Sequence, residues 1–124
     1  MAQFHRLKRH SDFGRVFRMG RTVGDRNMVL FILTSESKTP KIGFATQRSA
    51  GSAVKRNRIR RRIRALFSVF AEEITPCGDL ILLGKKPVLT ADWNSLVRSM
   101  RKLLLKAGCL KKESCGRQKG RDKE

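Results

Sequence analysis

The chain has 124 residues, enough for one domain with a modest core, and its 29 Lys and Arg residues against 10 Asp and Glu residues give a net charge of +19. So large a positive charge makes nucleic acid the first candidate partner and an anionic membrane surface the second. No segment is apolar over the length of a signal peptide or a membrane span, so we expect a cytosolic protein with no membrane partner. The three cysteines lack metal-ligand spacing and are expected to be thiols in a reducing compartment; they are Cys77, Cys109 and Cys115.

The first elements predicted along the chain are a helix and two strands. SDFGRVFRMG, residues 11–20, predicts a helix that Ser11 caps and Gly20 ends. NMVLFILT, residues 27–34, is β-branched and aromatic, and KIGFATQ, residues 41–47, predicts a second strand of the same sheet. The residues of the first helix that share one face at i, i+3, i+4 spacing are Phe13, Val16 and Phe17.

The second half of the chain predicts a basic helix, a strand and a final helix. The basic helix is expected to start after Ser52, which can cap it, and to run to about Glu73. DLILLG, residues 79–84, predicts a third strand, and residues 92–108 have the strongest helical periodicity in the chain. The apolar stripe predicted to bury one side of the basic helix consists of Ile59, Ile63, Leu66, Phe67 and Phe70.

This order of elements, α-β-β-α-β-α, predicts an α/β fold in which one central sheet and its packed helices form a two-layer sandwich. No internal repeat or linker divides the chain. We therefore expect a single domain over residues 1–108, followed by a basic, disordered tail over residues 109–124, whose composition offers almost nothing to bury.

The basic helix is the most informative segment, because it carries seven cations in the ten positions from Lys55 to Arg64. Asn57, Arg61 and Arg64 stack at i, i+4, i+7, and no acidic residue occurs between residues 37 and 71. Like charges at such spacings destabilise a helix by about 0.2–0.5 kcal/mol per pair, which a bound polyanion would relieve. We predict an RNA-binding surface formed by Lys55, Arg56, Asn57, Arg58, Arg60, Arg61, Arg62 and Arg64.

The stretch AVKRNRIRRRIR, residues 53–64, resembles the arginine–asparagine–arginine signature of the protein subunit of bacterial ribonuclease P. RLKRHSDFGRVFRMGR upstream and DLILLGKKP downstream are similar to the same family, so the resemblance covers residues 6–108. It implies a left-handed crossover between parallel strands through the basic helix, which is an exception to the usual right-handed rule and also occurs in a ribosomal-protein domain of this kind. The chain departs from the family at residues 46–50, which are less cationic than usual, and at Arg62, which replaces an apolar residue.

The resemblance also implies a function. The family's enzyme is a ribonucleoprotein that removes the 5′ leader from precursor tRNA, with catalysis carried by its RNA subunit and bound Mg²⁺. The implied partners are the catalytic RNA and the leader, with no protein partner required and no catalytic residue or metal site on the protein. The resemblance places a leader-binding cleft at Phe13, Phe17 and Phe31, with Arg60 and Arg64 at its edge; ordinary core packing is the alternative for the three rings.

Three other functions remain open from the residues alone. One is a structural RNA-binding protein, such as a ribosomal component, which has the same charge pattern. Another is a protein-only nuclease, which would need a carboxylate cluster or a histidine acid–base pair, whereas the acids are scattered and His5 and His10 lie in a segment expected to fray. The third is a DNA-binding helix, for which no helix-turn-helix or zinc-ligand spacing is present.

Overall fold

The computed structural model describes residues 5–34, 41–74 and 78–110. Within these residues the fold comprises one five-stranded sheet and three α-helices. In chain order they are β1 (His5–Arg6), α1 (His10–Met19), β2 (Arg21–Gly24), β3 (Met28–Thr34), β4 (Lys41–Thr46), α2 (Ala53–Phe70), β5 (Gly78–Gly84) and α3 (Trp93–Ala107). Short 3-10 turns precede α2 and follow β5, at Arg48–Ala50 and Lys86–Leu89.

The strands lie in the order β1-β4-β5-β3-β2. β4 is parallel to both β1 and β5, whereas β3 runs antiparallel to β5 and β2. The α/β fold and the parallel pair joined through the basic helix are confirmed; the hand of that crossover stays a prediction. The three predicted strands are present, but β1 and β2 were missed. His5 therefore lies in a strand that pairs with β4 rather than in a frayed segment.

The two faces of the sheet carry different helices. α2 and α3 cover one face over the main core, to which β3 contributes Met28, Leu30 and Ile32, all at most 1% exposed. α1 covers part of the other face, where Val16 and Ile81 are fully buried. The sheet with α2 and α3 thus forms the two main layers, and α1 adds a partial layer opposite them.

The helix ends agree with the sequence in part. Ser52 caps α2 as predicted, because its Oγ accepts a hydrogen bond from the Lys55 amide at 3.3 Å. Ser11 does not cap α1: the helix begins at His10, and the cap residue Arg9 makes no side-chain cap bond. The amides of Asp12 and Phe13 both donate to the Arg9 carbonyl, so Ser11 lies within the first turn.

The domain extends beyond the predicted boundary at residue 108. Cys109 is fully buried, and Leu110 is 6% exposed and pairs with Ile74 in an isolated bridge. Both pack into the main core. The rest of the predicted tail lies outside the described residues, as do Cys77 and Cys115.

A cluster of polar side chains joins the β2–β3 connection to α3. Asp25 accepts hydrogen bonds from the amides of Asn27 at 2.9 Å and Met28 at 3.1 Å and from the Ser99 hydroxyl. Burial raises the pKa of the Asp25 carboxyl, but these hydrogen bonds and the charge of Lys102 outweigh it, so the pKa lies below its ordinary value. The carboxylate form therefore stabilises this corner of the fold.

Candidate nucleic-acid interface

The buried side of α2 anchors the helix to the sheet. All five residues of the predicted apolar stripe are at most 5% exposed, which confirms that prediction. The helix lies so close to the end of β5 that a Cβ added at Gly84 would come within 2.4 Å of Ile59 Cγ2. A glycine at this position therefore permits the close packing that holds the helix in place.

The opposite side of α2 presents most of its charge to solvent. Lys55, Asn57, Arg58, Arg61 and Arg64 are all exposed. Because consecutive turns of one rigid helix carry them, these groups are fixed relative to one another by the backbone. The structure therefore places the predicted row of Asn57, Arg61 and Arg64 on an accessible surface.

The other three residues of the predicted surface are partly buried, namely Arg56, Arg60 and Arg62. The Arg60 guanidinium donates a hydrogen bond to Asn57 Oδ1 one turn earlier. That contact holds the amide of Asn57 in place and leaves its Nδ2 donor group for another partner. Arg56, near the helix start, has its Nε atom buried within the described structure without a hydrogen-bond partner.

Arg62 behaves differently from its neighbours. Its Nη1 atom donates to the carbonyl oxygens of Val88 at 2.6 Å and Leu89 at 3.4 Å, so the side chain ties α2 to the turn after β5. The sequence predicted that Arg62 would turn outward to contact phosphate. Its contacts in the structure give it a role within the fold that the sequence did not indicate.

The three aromatic residues of the predicted cleft lie together on the face of the sheet that α1 covers. The Phe13 and Phe17 ring centroids are 6.4 Å apart, and Phe17 meets Phe31 edge to face at 4.8 Å. Phe17 is 39% exposed, so its ring is available to a partner as well as to its neighbours. Phe13 lies against Gly43, where an added Cβ would come within 2.7 Å of the ring.

The structure separates this aromatic cluster from Arg64. The Arg64 guanidinium lies over the ring of Phe44, 5.6 Å from its centroid. Phe44 packs edge to face against Phe67 of α2, on the sheet face opposite Phe13. The resemblance implied that Arg64 lies at the edge of the Phe13–Phe17–Phe31 cleft, whereas the structure pairs it with a ring on the other face. The alternation of Gly43 and Phe44 along β4 could have indicated this.

Two kinds of feature are absent from the part of the chain that the structure describes: a cluster of metal-ligating side chains and a membrane-spanning helix. In residues 5–34, 41–74 and 78–110, no three His, Cys, Asp or Glu side chains are grouped as a metal site requires. Within the same ranges, no helix combines the length and apolar character that spanning a bilayer would demand.

The sequence of the chain is similar to those of known proteins. A sequence model described as Ribonuclease P matches residues 1–108. The ribonuclease P protein component of Listeria monocytogenes serotype 4a is 32% identical over 114 residues, covering 91% of this chain and 96% of that protein. The protein of the same name from Geobacillus kaustophilus is 34% identical over 113 residues, covering 90% and 93%.

Solved structures agree with the sequence comparison. The ribonuclease P protein of Staphylococcus aureus superposes with a TM-score of 0.71 at 26% identity, covering 90% of this chain and all of that one. The Thermotoga maritima ribonuclease P protein has the same fold, with a TM-score of 0.71 at 21% identity and coverage of 82% and 96%. The family-model match over residues 1–108, together with relatives that are 32% and 34% identical over nine-tenths of the chain, shows that the chain belongs to the Ribonuclease P family.

Proposed function

We propose that this chain is the protein subunit of a ribonuclease P ribonucleoprotein, the endoribonuclease that removes the 5′ leader from precursor tRNA. The observation that carries the proposal is the exposed cationic row of α2, held rigid by a fully packed apolar stripe. A guanidinium offers a planar fork to phosphate oxygens, and the helix presents several at fixed spacing. This surface suits a folded RNA, and we assign it to the catalytic RNA.

The aromatic cluster on the other face is assigned to the single-stranded leader. Phe17 is partly exposed next to Phe13 and Phe31, and aromatic faces stack on bases with little regard to sequence, at about 1–3 kcal/mol per base. Placing the leader and the catalytic RNA on separate surfaces would let one small domain contact both. Core packing of the three rings is the competing interpretation.

Catalysis is assigned to the RNA subunit, which would also bind most of the Mg²⁺. The protein's part would be to bring cationic charge to the RNA, which lessens repulsion between the catalytic RNA and its substrate and so lowers the Mg²⁺ concentration they need. The holoenzyme would work in the cytosol, and no second protein is required by this assignment.

Reconstitution tests the proposal. Purified protein should stimulate cleavage of precursor tRNA by a bacterial ribonuclease P RNA at low Mg²⁺ concentration. Replacing both Arg61 and Arg64 with Ala should weaken RNA binding and reduce the slope of log affinity against log salt by about 0.7–0.9 per lost phosphate contact.

A matched control removes two exposed cations from α3 through the substitutions Arg98→Ala and Lys106→Ala. The control should bind RNA nearly as the unmodified protein does. Binding without any stimulation of cleavage would favour a structural RNA-binding protein, and cleavage by the protein without RNA would favour a protein-only nuclease.

A further inference from the structure

A basic cleft lies where the first turns of α2 face the turn that follows β5. Its volume is about 570 Å³, within the range of sites that hold small ligands. Four of the seven residues that line it are cations, and none of the seven is acidic. The lining residues are Arg26, Lys55, Arg58, Lys86, Pro87, Leu89 and Thr90.

The cations reach the cleft from three separate segments of the chain. Lys55 and Arg58 belong to α2, Arg26 lies in the connection between β2 and β3, and Lys86 begins the turn after β5. The family signature contains only the α2 residues. Arg26 and Lys86, which complete the cleft, lie far from α2 in the sequence, so only the folded structure shows that they line the same cleft.

Hydrogen bonds hold these segments in fixed relation. The Arg62 guanidinium joins α2 to the turn through the Val88 carbonyl at 2.6 Å. Lys85 joins the turn to the β2–β3 connection, because its Nζ donates to the Asp25 carbonyl at 2.8 Å and its amide donates to the Asn27 carbonyl at 2.9 Å. The cleft is therefore organised before any ligand binds, which lessens the ordering needed on binding.

The lining of the cleft combines partly buried apolar residues with exposed cations. Pro87 and Leu89 are partly buried and supply an apolar surface, and the exposed Thr90 adds a hydroxyl that can donate or accept. An apolar surface beside four cations matches a nucleotide, whose base presents a flat face for packing and whose phosphates are anionic. A duplex offers its phosphates along a ridge, whereas a concave pocket suits a base that has left the stack.

We propose that this cleft holds a single unstacked nucleotide of the RNA partner, with the base against Pro87 and Leu89 and the adjoining phosphates at Arg58 and Lys86. The proposal rests on the proposed function, because it takes the RNA bound along α2 as the source of that nucleotide. It extends the RNA surface from α2 to the turn after β5.

Two variants test the cleft, each with a matched control. Thr90→Trp fills the cleft without changing the charge, and Asn94→Trp places the same ring at an exposed position of α3 that does not line it. Lys86→Glu reverses an exposed charge that lines the cleft, and Lys106→Glu reverses an exposed charge on α3, away from the cleft. Thermal unfolding first establishes that each variant folds.

The measurements are the affinity of each full-length variant for a bacterial ribonuclease P RNA and the chemical reactivity of each RNA base in the complex. We expect Thr90→Trp to weaken binding by about 5- to 160-fold, the range for losing one stacked base. One unpaired base protected by the unmodified protein should become reactive again with Thr90→Trp and stay protected with Asn94→Trp. Lys86→Glu should weaken binding more than Lys106→Glu.

The cleft proposal is overturned if Thr90→Trp and Lys86→Glu bind RNA as their controls do, or if no base changes reactivity with Thr90→Trp. The proposed function fails in a different way, when the unmodified protein binds the RNA but does not stimulate cleavage. In that case the affinities and base reactivities still decide whether a nucleotide occupies the cleft.

Discussion

Replacing Arg62 with alanine should make the domain easier to unfold, whereas the same change at the adjacent Arg61 should not. Arg62 donates to the Val88 carbonyl at 2.6 Å, while Arg61 is exposed on the outer side of the helix. The two residues have the same side chain, the same helix and neighbouring positions. They differ in the direction in which α2 points them.

The magnitudes follow from these contacts. A hydrogen bond from a charged donor contributes about 1.5–3 kcal/mol, and losing Arg62 also relieves one like-charge pair with Arg58, about 0.2–0.5 kcal/mol. The expected net loss is about 1–2.5 kcal/mol in the free energy of unfolding. Arg61 has cations at i−3 and i+3, Arg58 and Arg64, so its removal should stabilise the free protein by about 0.4–1 kcal/mol at low salt.

Urea unfolding of both variants at low salt, paired with RNA titrations, measures these effects. Arg62→Ala should lower the urea midpoint and leave the salt dependence of RNA affinity nearly unchanged. Arg61→Ala should raise the urea midpoint slightly and reduce the salt dependence of RNA affinity. The interpretation of Arg62 would be refuted if its variant unfolded at the same urea concentration as the unmodified protein and lost the salt-dependent part of RNA binding.

Three further substitutions test other parts of the structure. Phe17→Ala should weaken binding of precursor tRNA by about 5- to 160-fold and leave mature tRNA binding unchanged, because only the precursor has a leader to stack; equal weakening of both would place Phe17 in the core. Gly84→Ala should lower the free energy of unfolding by about 1–3 kcal/mol, measured in urea, since the new Cβ would lie 2.4 Å from Ile59 Cγ2; an unchanged midpoint would contradict this packing. The pKa of Asp25 is lowered from its ordinary value of 3.8, so its carboxylate stabilises the fold above that pH and the contribution disappears as the pH falls through the folded pKa. The Asp25→Asn variant should therefore have a lower free energy of unfolding than the unmodified protein at pH 7, and the two values should converge in acid. A stability difference that did not change with pH would exclude the charge of Asp25 as its cause.

The sequence predicts the elements with strong periodicity and misses those without it. The stripe of α2 could be found because five buried residues recur at helical spacing along one long helix. β1 and β2 have two and four residues, and most of them are exposed. Strands this short contain no alternation that a sequence pattern can detect, so only pairing with a neighbouring strand defines them.

In the candidate site, too, the features on a single element could be predicted and those formed between elements could not. The cationic row of α2 could be predicted because it lies on one element, where spacing along the chain fixes spacing in space. The contact of Arg64 with Phe44 and the approach of Lys86 to Arg58 depend on how separate elements pack. Arg62 shows the limit most clearly, because the sequence placed it on the predicted RNA-binding surface but could not show that two backbone carbonyls lie within its reach.

The order of strands in the sheet has a consequence for the protein at high concentration. The longest strands, β3 and β5, are paired on both sides, and the outermost positions are held by β1 and β2. Unpaired strand edges are templates for intermolecular association, and proteins suppress this with short, charged outer strands. Arg6 and Arg21 place positive charge on these two edges, so two copies that meet edge to edge would repel each other before their backbones could pair.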